Sequence, residues 1–219
     1  SELTEEKCRE AMDFAVKQVE DNLKEFTDSF KKAYSEDGFY QPTENVNWTT
    51  GFWTGQVWLA YEWSQDKAFE EAGKVHVESF LKRINEKVEV DHHDMGFLYS
   101  PSCVAAYKLT GDEKGKEAAI KAADQLISRF QPVGEFIQAW GPMNQPENYR
   151  FIIDCLLNLP LLYWATEETG DNKYRDIAEK HIHTAIANVI REDYSTWHTF
   201  FMNMETGEPD HGATCQGYR

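Results

Sequence analysis

Two short stretches of this chain carry side chains able to move protons or to grip a polar ligand. The first is Asp91-His92-His93-Asp94-Met95-Gly96, four ionisable groups in one connecting segment. His and carboxylate are ordinary metal ligands, but adjacent residues rarely all turn toward one ion, and no HxxxH pair accompanies them. Residue type alone leaves three readings open: a metal site, a solvated polar turn, or a segment that positions a substrate. The second is Asp154, set in the apolar run RFIIDCLLNLPLLYW over 150–164. A carboxylate there is costly unless it has a partner or a task. Burial would raise its pKa and suit it to donating a proton near neutral pH. A helix-start carboxylate or a salt-bridged core Asp fits the residue type equally well. His198, beside Trp197 in a connecting segment, is the next candidate. His181 and His183, two apart on a polar helix, are expected at the surface, as is His76. The sequence contains no GxSxG, Walker A or Rossmann glycine pattern.

The elements that must hold these residues read as helices. Over 3–34, Cys8, Met12, Ala15, Val19, Leu23, Phe26, Phe30 and Tyr34 form one apolar stripe at spacings of three and four, with Thr4 as amino-terminal cap. A repeat follows. Val57-Trp58-Leu59-Ala60-Tyr61, Val104-Ala105-Ala106-Tyr107 and Leu161-Leu162-Tyr163-Trp164 each lead through a tight turn to an Asp, at 66, 112 and 171. That Asp caps a charged amphipathic helix, so the unit is an apolar helix paired with a more polar one. The spacing predicts one helix layer at 50–64, 97–109 and 150–168, and another at 67–87, 113–130 and 172–191. An α/α toroid arranges such pairs as inner and outer rings; an open α-solenoid scaffold is the alternative. No stretch alternates with period two long enough to predict a sheet. The segments between pairs hold Trp48, Asp94, Trp140 and His198, and a toroid would open them at one end. Three pairs and part of a fourth are visible, so a six-pair ring is expected to be only partly represented, as a single domain over 1–219.

Composition narrows the function classes. Lys and Arg total 22 against 38 Asp and Glu, a formal charge of −16. That field argues against nucleic acid and against anionic membranes as partners. Cys8, Cys103, Cys155 and Cys215 lack CxxC spacing, and reduced thiols are the ordinary expectation. The start of the chain reads as a capped amphipathic helix rather than a signal peptide. A cytoplasmic location is therefore expected, with the sequon Asn47-Trp48-Thr49 unglycosylated.

Taken together, NWTTGFWTGQVWLAYE (47–62), DHHDMGFLYSPS (91–102), RFIIDCLLNLPLLYWA (150–165) and HGATCQGY (211–218) resemble the unsaturated glucuronyl hydrolases of glycoside hydrolase family 88, in their streptococcal form. The resemblance implies an all-α (α/α)6 barrel, of which this chain covers about the first three and a half helix pairs. It also implies a cytoplasmic enzyme that uses no metal and no cofactor. Its substrates would be the unsaturated oligosaccharides that polysaccharide lyases release from glycosaminoglycans. Asp154 matches the family's general acid and base, and Asp94 its second essential carboxylate. Trp48, His93, Trp140, His198 and Gln216 match positions that line or bind the unsaturated sugar. Cys215 departs from the residue more usual before that Gln. A following family stretch, whose Arg is expected to hold the substrate carboxylate, is absent from these residues. The runner-up readings are an unsaturated rhamnogalacturonyl hydrolase acting on pectin fragments and a non-catalytic helical-repeat binding protein.

Overall fold

The computed structural model describes residues 3–214. Contacts gather the chain into two compact units, one of residues up to 88 with 98–118, the other of 89–97 with 119 onward.

In the first unit, α1 (Glu5–Phe26) starts at Thr4, whose hydroxyl accepts from the Lys7 N–H at 3.3 Å. It stops eight residues short of the helix expected over 3–34. The Thr27 and Ser29 hydroxyls bond back to the carbonyls of Leu23 and Glu25 and close the last turn. Asp37 and Gly38 then both take positive φ, 50° and 82°, and fold β1 (Phe30–Glu36) onto β2 (Phe39–Thr43). An Asp-Gly pair is a strong local hairpin signal. It overrides the helical spacing of Phe30 and Tyr34, which lie on a strand.

The helix pairs follow the sequence closely. α2 (Thr50–Ser64) buries side chains on most of its circumference, whereas α3 (Lys67–Asn85) buries one stripe running from Phe69 to Ile84. Between them, Gln65 is left-handed and the Asp66 carboxylate accepts from the Ala68 N–H at 2.9 Å. The same device recurs where α5 (Ala105–Thr110) meets α6 (Glu113–Ile127), through Gly111 and Asp112. It recurs again where α7 (Pro160–Thr169) meets α8 (Lys173–Val189), through Gly170 and Asp171. Upstream of α5, α4 (Met95–Tyr99) continues through a π turn at Ser100–Val104. Pro101 lacks an N–H, and the wider turn absorbs the missing bond.

Two expectations about histidines are corrected. His76 and His181 are fully buried. Each falls on the apolar stripe of its helix, between Gly73 and Val77 and between Ala178 and Ala185. The His76 Nε2–H donates to the Phe26 carbonyl and Nδ1 bonds the Thr54 hydroxyl, while His181 Nδ1 accepts from the Ile137 N–H. Burial pushes their pKa values down to about 4 and about 3. His183 is exposed, as expected.

The other correction is a set of short sheets inside the connecting segments. In the second unit, β3 (Phe130–Gln131) pairs with β4 (Phe136–Ile137), and β5 (Arg150–Ile152), β6 (Thr199–Met202) and β7 (Pro209–Ala213) form an antiparallel sheet. The helix expected over 150–168 therefore begins only at Pro160. Strands of two to five residues are too short to show a period of two. A core cluster of Phe136, Tyr149, Phe151, Ala185, Val189, Phe200 and Met202 fixes this sheet on α8.

The segment carrying Trp48 is fastened by one buried cation. The Arg83 guanidinium donates to the carbonyls of Val46, Asn47 and Val88, to Asn45 Oδ1 and to the Thr50 hydroxyl. Arg83→Met would take the donor from three partly buried carbonyls, at roughly 1 kcal/mol each, the low end for an unsatisfied group. The expected loss is at least about 3 kcal/mol of unfolding free energy, read as a lower denaturant midpoint. A midpoint within error of the wild type would show that Arg83 does not hold this segment.

Candidate active site

Asp154 does not sit within a regular helix. It occupies a single 3-10 turn, Ile153–Leu157, between β5 and α7. The turn starts where β5 leaves the sheet, and the Ile153 N–H donates to the His198 carbonyl at 2.9 Å. This bond places His198, at the entry to β6, beside Asp154. The segment holding His93 is laced to the same sheet. The His93 N–H donates to the Ala139 carbonyl at 2.8 Å, and the Ala139 N–H donates to the Arg150 carbonyl at 3.1 Å.

Side chains tighten this arrangement. The fully buried Arg129 guanidinium reaches Asp91 Oδ1 at 2.6 Å, the Gln138 carbonyl at 3.0 Å and the Gly141 carbonyl at 3.0 Å. Gln138 donates its amide to the carbonyls of Trp140, Gly141 and Pro142. The two acidic segments meet at Gly96. A Cβ there would collide with the Cα and carbonyl of Asn158, and the Asn158 Oδ1 accepts from the Phe97 N–H at 2.7 Å.

The result is a compact cluster. His93 Nε2 stands 3.2 Å from Asp94 Oδ1 and 3.6 Å from Asp154 Oδ1. His93 is buried, whereas the Asp154 side chain keeps 38% of its exposure, enough to meet a ligand. His92 is fixed beside them: its Nδ1 accepts from the Asp94 N–H at 3.0 Å and its Nε2 bonds the Glu89 carbonyl at 2.9 Å. Burial raises the Asp154 carboxyl above its ordinary range; the nearby His93 opposes that shift and the Asp94 carboxylate adds to it. Burial also lowers the His93 imidazole, against the pull of the two carboxylates. An acid that holds its proton more tightly than usual, beside an imidazole that burial disfavours in its charged form and a second carboxylate, is equipped for general acid–base work. His93, Asp94 and Asp154 also present one donor atom each within 4.8 Å of one another, a spacing that a cation can bridge.

The sequence-predicted residues divide as follows. His93, Asp94, Asp154 and His198 come together in the second unit. Trp140 lies in the same unit on the tethered 138–141 segment, half-exposed, with the Arg150 guanidinium 3.8 Å from its ring centroid. Trp48 belongs to the first unit, also half-exposed, with its ring edge-on to Phe52. Gln216 and Cys215 lie outside the described residues. Sequence reasoning passed over Arg129, Gln138, Arg150 and Asn158. Two of these stand inside the quoted 150–165 motif, where a buried Arg and a buried Asn were as anomalous as Asp154.

The sequence profile of Glycosyl Hydrolase Family 88 matches residues 20–218. This chain belongs to glycoside hydrolase family 88. It is 52% identical, over 216 residues, to the unsaturated chondroitin disaccharide hydrolase of Streptococcus pneumoniae, covering 99% of this chain and 54% of that protein. The crystal structure of unsaturated glucuronyl hydrolase from Streptococcus agalactiae superimposes with a TM-score of 0.97 at 49% identity, over 99% of this chain and 55% of the other. A variant of the S. agalactiae enzyme, solved in complex with dGlcA-GalNAc6S, matches at a TM-score of 0.83 and 43% identity, over 100% of this chain and 53% of that one. The chain thus has the fold of these α/α-barrel enzymes and spans about half of their length. No helix among the described residues is long and apolar enough to cross a membrane.

The Gly96–Asn158 contact yields a direct test. Gly96→Ala inserts a methyl group into backbone and should cost about 1–3 kcal/mol. A crystal structure of the variant should show the Asp94 and Asp154 carboxylates further apart. Unchanged stability with unchanged carboxylate positions would refute the constraint.

Proposed function

We propose that this protein contributes the proton-transfer site of an enzyme that removes Δ4,5-unsaturated uronic acid from lyase-generated glycosaminoglycan oligosaccharides. The observation that carries the reading is Asp154: a half-exposed carboxyl with a raised pKa, 3.6 Å from a buried imidazole that also faces Asp94. The unsaturated chondroitin disaccharide hydrolase activity of one streptococcal relative and the dGlcA-GalNAc6S bound by another support the substrate class. The family profile runs through both compact units, which supports one catalytic domain over 1–219. Free Cys8, Cys103 and Cys155 support a reducing, cytoplasmic location.

The substrate's C4=C5 bond is a vinyl ether, because C5 also bears the ring oxygen. Asp154 gives its proton to C4, and the positive charge that develops is an oxocarbenium ion at C5. Water adds to C5 and loses a proton to the Asp154 carboxylate, which restores the acid. The hemiketal then opens and collapses, releasing the next sugar. No displacement occurs at the anomeric carbon, so the carboxylate-separation rule for ordinary glycosidases does not govern Asp94 and Asp154. Asp94, beside His93, accepts from sugar hydroxyls and places negative charge near the forming cation. In the second unit, His93, Trp140 and His198 line or bind the unsaturated sugar, the Trp140 indole as a flat apolar platform; Trp48 and Gln216 take the same role on the resemblance of their motifs alone.

Tests use the full-length protein and follow the loss of ultraviolet absorbance of the double bond. Asp154→Asn should lower kcat by about 100- to 10,000-fold while substrate still binds. A variant that keeps most of its turnover would remove Asp154 from the role. Unsaturated chondroitin disaccharide should be turned over in preference to the pectin-derived unsaturated disaccharide, and no turnover of either would leave a binding protein. Activity should survive EDTA; its loss and recovery on adding a divalent cation would favour the metal reading of the cluster.

The pH profile has a defined sign. The protonated Asp154 is the donor, so kcat/KM should fall as pH rises through its raised pKa. Asp94→Asn removes a neighbouring negative charge that raises that pKa, so the limb should move to lower pH in the residual activity. A limb unmoved by that substitution would mean another group carries it.

A further inference from the structure

We infer that Arg150 is a positioning residue that sets the plane of the Trp140 indole, the flat surface on which the sugar ring rests. The inference builds on the function proposed above and adds a residue to it.

Arg150 opens β5 and is 5% exposed, in a chain whose formal charge of −16 leaves most cations at the surface. A buried guanidinium is costly unless its surroundings use it. Its carbon stands 3.8 Å from the centroid of the Trp140 ring and 5.6 Å from that of Phe201. Strand register explains the second contact, because Arg150 pairs with Phe201 across β5 and β6. Phe201 in turn pairs with His211 across β6 and β7, and those two rings stack at 4.7 Å with 7° between their planes. Trp140, Arg150, Phe201 and His211 therefore form one row of planar groups across the sheet. The row ends on an indole that remains 47% exposed.

A planar guanidinium suits this place better than an ammonium. It can face an aromatic ring closely and still donate in its own plane. Arg150 uses that plane to donate to the Glu147 carbonyl at 2.6 Å and toward Asn148 Oδ1 at 3.5 Å. Its burial beneath Trp140 makes it a support rather than a direct anion ligand. Backbone ties act in the same sense, since the Arg150 carbonyl accepts from the Ala139 N–H and Gln138 holds the Trp140 carbonyl. Trp140 thus has its main chain and one ring face fixed before substrate arrives, which lowers the ordering cost of binding.

The test uses the full-length protein with Arg150→Lys, Arg150→Met, Trp140→Ala and the Trp140→Ala/Arg150→Met pair. With unsaturated chondroitin disaccharide, Arg150→Met should raise KM about tenfold and change kcat by less than about twofold. Arg150→Lys should fall between it and the wild type. In the Trp140→Ala background, Arg150→Met should add nothing further to KM. A KM effect that multiplies in the double variant, or a fall in kcat at constant KM, would overturn the inference. A second readout is independent of turnover: 19F NMR of fluorotryptophan-labelled protein, with the Trp140 resonance assigned by Trp140→Ala. That resonance should shift or broaden in Arg150→Met and recover in part in Arg150→Lys, which also serves if the Met variant folds poorly. An unmoved resonance overturns the inference even if the wild type turns over nothing, an outcome that would count against the proposed function alone.

Discussion

The candidate site depends on one close approach: the backbone of Gly96 lies directly on that of Asn158. Any side chain at 96 would drive these two segments apart. Asp94 is two residues before this contact and Asp154 four residues before the other partner, so its tightness sets how near the carboxylates come. Nearness is the chemistry here. Burial raises Asp154, the Asp94 charge adds to that rise, and the His93 imidazole, within 3.6 Å of both carboxylates, works against it. The Phe97 N–H to Asn158 bond fixes the same junction in direction as well as distance.

Within each unit, arginines hold irregular segments that hydrophobic packing alone leaves with unsatisfied carbonyls. Arg83 gathers the carbonyls of the Trp48 segment, Arg129 ties Asp91 to the Gly141 carbonyl, and Arg150 supports Trp140. Connecting segments expose backbone carbonyls that no helix or sheet ladder satisfies. A guanidinium can serve several of them at once from a fixed plane, which a lysine cannot. A strongly acidic chain thus places its few interior cations where non-repetitive backbone must be rigid.

Much of the scaffold was legible because local and tertiary signals agree in it. The Asp caps at 66, 112 and 171 are short-range chemistry, and they marked each helix pair in the sequence and in the structure. Asp154 stood out as an acid in an apolar run, and the His93–Asp94 segment as four ionisable groups side by side. The misses arise where one local signal overrode another or where order is purely tertiary. Asp37-Gly38 ended a helical stripe that the spacing of Phe30 and Tyr34 prolonged. His76 and His181 looked like surface residues on charged helices, although their stripe positions were apolar. The β5–β6–β7 sheet joins segments about 50 residues apart and could not be read from strands this short. The pairing of Arg150 with Trp140 depends on that sheet and was hidden with it.

The central claim is that this arrangement keeps Asp154 protonated beyond the range of an ordinary aspartate. A carboxyl 13C titration of the full-length protein, with the Asp154 signal assigned by its loss in Asp154→Asn, measures this directly. The account predicts a midpoint above the unperturbed 3.8, moving down when Asp94 is replaced by Asn. A midpoint at or below 3.8 would contradict it, because Asp154 would then enter the reaction without the proton that the chemistry requires.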